Sequence, residues 1–173
     1  MIRSQTARNV INFVLFQAGW FACVLYPGLA AVGAVILLLG FHLIFISQAR
    51  WAELQFIGAG VVLGGLLDGL WFNTGVLDNG VSGFQLTPIW ILGLWAAFTT
   101  TLSHSLAWIS ARPWLPFVCA PIAGPFAYWS ASKLGAVEMP DLTFSLAALA
   151  VGWLAVFPLL LYIRKTLYPE LVQ

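Results

Sequence analysis

Residues 144–163 read FSLAALAVGWLAVFPLLLYI, an uncharged run followed at once by Arg164-Lys165. As a helix rising 1.5 Å per residue it extends about 30 Å, the thickness of a bilayer's hydrocarbon core. Five more apolar runs of comparable length precede it, at about 9–26, 28–47, 52–76, 88–110 and 114–137. The expected fold is all-α: a polytopic membrane bundle of six transmembrane helices, forming a single integral membrane domain over residues 1–173. Arg3 and Arg8 resemble the basic region of a signal peptide, but Asn12 and Gln17 interrupt the apolar stretch behind them.

Composition agrees. Of 173 residues, 61% are hydrophobic and 8% are charged, against about 25% charged in a soluble domain. Such a chain cannot cover a water-facing surface with charge, which excludes an ordinary cytosolic enzyme and a disordered chain. A net charge of +1 without a basic cluster excludes nucleic acid as a partner. Cys23 and Cys119 fall in opposite leaflets of the six-span arrangement, so they read as free thiols.

The charges orient the spans. Arg3, Arg8, Arg50, Arg112, Arg164 and Lys165 fall on one side of the alternation, while Asp78, Glu138 and Asp141 fall on the other. The positive-inside rule then places both termini in the cytoplasm. Trp51, Trp108 and Trp114 fall at the inner boundary, and Trp71 and Trp90 near the outer one, levels that indoles favour. Trp20, Trp95 and Trp153 lie deeper, as packing residues. The longest outer connection, residues 77–87 (LDNGVSGFQLT), carries an Asp78-Asn79-Gly80 turn signal and is long enough to cap a cavity.

Within the spans, the sorting leaves Asp68 and Lys133. An ionisable residue at membrane depth costs about 2.5–3.5 kcal/mol on insertion scales and calls for a partner or a purpose. Helical rise puts the two within about 6 Å in depth, so an Asp68–Lys133 ion pair is expected. Tyr128 is the other partner within reach of Asp68, and Lys133 has the alternative of snorkelling outward. A second polar layer lies toward the cytoplasmic side: His42, His104, Thr101, Asn12 and Gln17. It has the chemistry to hydrogen-bond helices together, hold a polar head group or pass a proton. Two histidines can bind a metal, but no third ligand stands at convincing spacing, so no metal and no cofactor is expected.

Two sequence features bear on packing. Gly60-x-x-x-Gly64 and Gly65-x-x-x-Gly69 give the third helix small faces for close approach, within the chain or in a homodimer. Pro116, Pro121 and Pro125 predict a bent or interrupted fifth helix. There is also an internal echo: residues 42–51 (HLIFISQARW) and 104–114 (HSLAWISARPW) both set His eight positions before Arg. It puts the two histidines at equivalent depth.

Taken together, several motifs resemble a bacterial inner-membrane family known as domain of unknown function 2878. They are Asn12-Phe-x-x-Phe16-Gln17-x-Gly19-Trp20-Phe21-x-Cys23, Gly64-x-x-x-Asp68, Pro88-x-Trp90-x-x-x-Leu94-Trp95-x-x-Phe98-x-x-Thr101-Leu102-x-His104-Ser105-Leu106-x-Trp108, and Gly124-Pro125-x-x-Tyr128-Trp129. The resemblance brings no activity with it. It implies a place near lipid-modifying enzymes, such as cyclopropane-fatty-acid-synthase-like methyltransferases, as partners. The leading expectation is therefore a lipid- or acyl-chain-binding accessory protein with membrane lipids as its ligands. It predicts a lateral opening between helices. A small proton-coupled carrier is the alternative, and predicts one cavity joining Asp68 to the histidine layer. An intramembrane enzyme is a third reading, although no nucleophile elbow or zinc-protease motif is present.

Overall fold

The computed structural model describes residues 2 and 4–172, so Arg3 lies outside the described residues. These residues form six α-helices: α1 Gln5–Leu25, α2 Leu29–Phe45, α3 Arg50–Asn73, α4 Ile89–Ser103, α5 Leu115–Lys133 and α6 Leu142–Leu167. Single 3-10 turns occupy Ala107–Ala111 and Pro169–Leu171. Helices α1, α3 and α6 are long and apolar enough to cross a membrane, and α2 and α4 are apolar but shorter. Side-chain oxygens start the first and last helices. Ser4 accepts from the Ala7 amide and Asp141 from the Phe144 amide, each filling one of the donors that a helix N-terminus leaves free.

Helix α4 is the hub. It packs against α1, α2 and α3, and most of its residues are buried. Helix α5 packs along α6 instead, and α6 joins the rest through α3. Two backbone hydrogen bonds between Asp78 and Glu138 also tie the α3–α4 and α5–α6 connections together. The distribution of polarity is inverted relative to a water-soluble protein. Phe13, Leu37, Leu66, Ile122 and Val151 face outward, whereas Asn12, His42, Glu53, Asp68, Thr101 and His104 are buried. Lipid as surroundings explains both halves of that pattern.

Three sequence expectations change. The segment 88–110 is not one helix, because α4 stops at Ser103. The hydroxyls of Thr99, Thr100 and Thr101 bond back to the carbonyls of Trp95, Ala97 and Phe98, competition that loosens a helix. Groups from distant helices then take up the backbone freed at the break. The Asn12 carbonyl oxygen accepts from the Ser105 amide, and the Arg164 guanidinium donates to the Leu102 carbonyl.

Helix α5, by contrast, runs uninterrupted through Pro121 and Pro125. Pro116 sits in its first turn, where no intrahelical donor is required. The other two prolines stand four apart, so their missing bonds fall along one side. Trp71 and Trp90 are buried rather than turned to an interface; Trp71 packs edge-on against Tyr128. Of the two readings of the small faces on α3, close approach within the chain is the one seen at Gly60 and Gly64. A side chain at Gly60 would strike Thr99, and one at Gly64 would strike the Trp95 ring.

Candidate functional site

Two buried polar nodes lie toward opposite ends of α3, at Glu53 and Asp68. Fifteen residues of helix, about 22 Å, separate them.

The Asp68 node depends on the glycines below it. With no Cβ at Gly64, the Trp95 indole lies against the α3 backbone and donates from Nε1 to Asp68 Oδ2 at 2.5 Å. Tyr128 donates its hydroxyl to Oδ1 at 2.6 Å. Asp68 is fully buried, so these two donors are what its oxygens have in place of water. The expected ion pair is not formed. Lys133 is exposed and lies over the Trp129 ring, its ammonium 5.9 Å from the centroid. Its stem reaches outward from the end of α5, where a cation is best solvated.

The second node gathers the histidine layer and adds a residue that the charge sorting passes over. Glu53 stands in the first turn of α3 and is 1% exposed. Its Oε1 lies 2.8 Å from His42 Nε2 and 2.9 Å from His104 Nε2. The imidazoles meet edge to face, with centroids 4.9 Å apart. Asn12 braces the group from α1: its amide nitrogen is 2.9 Å from Thr100 Oγ1 and 3.4 Å from His42 Nδ1, and its oxygen is 2.7 Å from Ser105 Oγ. Thr101 is buried beside the break, where its carbonyl accepts the amides of His104 and Leu106. Gln17 is half-buried, and its side chain makes no hydrogen bond among the described residues.

His42, Glu53 and His104 offer three metal-type ligand atoms within 4.8 Å of one another. Glu53 thus supplies the third group that spacing did not reveal. The usable signal was the echo: two histidines at one depth, with a carboxylate just across the short α2–α3 turn. Arg164 is not a free cation at the helix end. It is buried against Leu102 and Ser110.

Between the two packing groups lies a cavity of about 410 Å³. Helices α1 and α4 form one wall, α5 and α6 the other, with Leu106, Trp108 and Ile109 from the segment after the break at one end. Its lining is almost wholly apolar and rich in aromatic rings, including Trp20, Phe98 and Trp153. Trp153 stacks on Trp95 at 5.1 Å and seats its ring over Gly124. Tyr128 brings the Asp68 node to the cavity wall, and Cys119, a free thiol, lies on the α5 side. Residues 77–87 do not border this cavity. They line a separate pocket at the end of α3, where Asn73 and Asn79 are held to Gln85.

The sequence matches the family described as "Protein of unknown function (DUF2878)" over residues 9–159. No curated protein and no solved structure matches the chain.

Proposed function

The chain belongs to the family described as protein of unknown function DUF2878, so its activity has to be argued from its own site, and we propose that it is a membrane protein that takes one lipid alkyl chain between α4 and α5. In this reading all six helices traverse a bacterial inner membrane, with Arg8, Arg50, Arg112 and Lys165 on the cytoplasmic side. The observation that carries the proposal is the apolar cavity. At about 410 Å³ it has the size of a small-molecule site. It follows α5 from Cys119 to Ala131, about 18 Å of helical rise, which is more than half the hydrocarbon thickness. Helices α4 and α5 do not pack along each other, so an alkyl chain can enter sideways from the bilayer. A lipid held by its tail leaves its head group outside the protein. That arrangement suits an accessory that presents lipid to a modifying enzyme, such as a cyclopropane-fatty-acid-synthase-like methyltransferase.

The carrier reading asks for one cavity reaching both polar nodes. The lining includes Tyr128 but none of His42, Glu53 and His104, which favours the lipid reading. Native mass spectrometry with lipid analysis of the detergent-purified protein tests it. One lipid per chain is expected in the wild type. Ala127→Trp, which fills the cavity from α5, should lower occupancy at least about tenfold, a loss of about 1.4 kcal/mol, with Tm unchanged or higher. Recovery of the wild type free of lipid, or equal occupancy in the variant, would sink the proposal.

A further inference from the structure

Asn12, His42, Glu53 and His104 form a hydrogen-bond circuit whose directions are fixed by groups that can bond in only one way. The Ser105 amide has only a hydrogen to give, so the Asn12 atom 3.3 Å from it is the oxygen. The Thr100 hydroxyl gives its hydrogen to the Ala97 carbonyl at 2.7 Å, so towards Asn12 it accepts. Both constraints turn the Asn12 amide nitrogen toward His42 Nδ1. That ring nitrogen therefore accepts, and the ring hydrogen sits on Nε2, aimed at Glu53. His104 Nε2 approaches the same carboxylate oxygen. Nδ1 of His104 is buried and has no partner among the described residues.

This arrangement does not suit a metal. A ligating histidine presents a bare nitrogen to the ion and donates its other N–H to an acceptor. His42 faces an amide donor on that other side, and its Nε2 already carries hydrogen. What the circuit lacks, among the described residues, is a positive charge paired with Glu53. The two buried arginines are engaged elsewhere: Arg8 on α1 is held by Gln5, and Arg164 on α6 by Leu102 and Ser110. Among the described residues, the Glu53 carboxylate on α3 pairs only with His42 from α2 and His104 from the end of α4. A buried carboxylate without a counter-charge is costly.

We propose that Nδ1 of His104 is a buried proton-binding site, and that the proton it takes makes the His104 ring the cation for Glu53. Asn12 reserves the neutral form for His42, since its amide blocks a second hydrogen there. Two histidines that look equivalent in sequence thus have different tasks. The bound proton sits where α4 stops, beside the segment that closes one end of the cavity. The site stands independently of what that cavity holds.

The chain contains two histidines, so nitrogen-15 histidine labelling and solid-state NMR in bilayers resolve them both. The rings are assigned with His42→Gln or, where that variant does not fold, through the contact of His42 Nδ1 with the Asn12 amide. On going from about pH 8 to about pH 5, both rings should begin neutral with hydrogen on Nε2, and His104 alone should gain a second N–H. Glu53→Gln should raise the proton concentration required at least about tenfold. Protonation of His42 first, a neutral His104 with its hydrogen on Nδ1, no change in either ring, or zinc-induced shifts of both would each overturn the site.

Discussion

At the residue scale, Asn12 decides what the histidine layer is. Its orientation is set from outside the pair, by Ser105 and Thr100, and it passes that choice to His42. Replacing it with aspartate puts an acceptor where the amide donor stood. The His42 hydrogen should then move to Nδ1 and leave Nε2 bare for a metal. Asn12→Asp should therefore gain a zinc-dependent rise in Tm that the wild type lacks, since an ion that binds only the folded state stabilises it. An equal response of both proteins would contradict the assigned tautomer.

Asp68 gives a second test. Tyr128→Phe removes one of its two donors and should lower stability by about 1–3 kcal/mol. Lys133→Ala should stay within about 0.5 kcal/mol, as for a surface change. Thermal unfolding of both variants in the same detergent separates the observed Tyr128 bond from the salt bridge that sequence spacing favoured.

At the element scale, the contact between α3 and α4 depends on missing side chains. Gly64→Ala should push the Trp95 ring away from α3 and weaken its bond to Asp68, costing about 1–3 kcal/mol by overpacking. Gly58→Ala meets open space and serves as the control; chemical denaturation of the pair measures the difference. Elements were also where the sequence was most and least informative. An all-helical chain was legible, because uncharged runs such as residues 144–163 leave little else possible in lipid. The break in α4 was not. It depends on Asn12 and Arg164, which reach Ser105 and Leu102 from helices far away in sequence, and no local pattern reports such bonds. Glu53 was missed for a related reason. A carboxylate in the first turn of a helix is ordinary, and only the meeting of three helix ends makes it a shared acceptor.

At the scale of the whole molecule, the bundle divides into α1–α4 and the α5–α6 pair. The two parts touch along α3 and α6 and are fastened near their ends by the Asp78–Glu138 backbone pair and by Arg164. The cavity occupies the seam. The chain crosses from one part to the other through residues 110–114, all exposed. That crossing has a consequence for biogenesis. If each part is inserted as a hairpin-based unit, the covalent link between them is dispensable. Two polypeptides co-expressed as residues 1–112 and 113–173 should find each other in the membrane and co-purify as a heterodimer. Arg164→Ala on the shorter piece, by removing one fastening, should cut its recovery with the longer one. A protein that tolerates this cut is in effect two gene products joined end to end, and its seam is where a second molecule has room to lie.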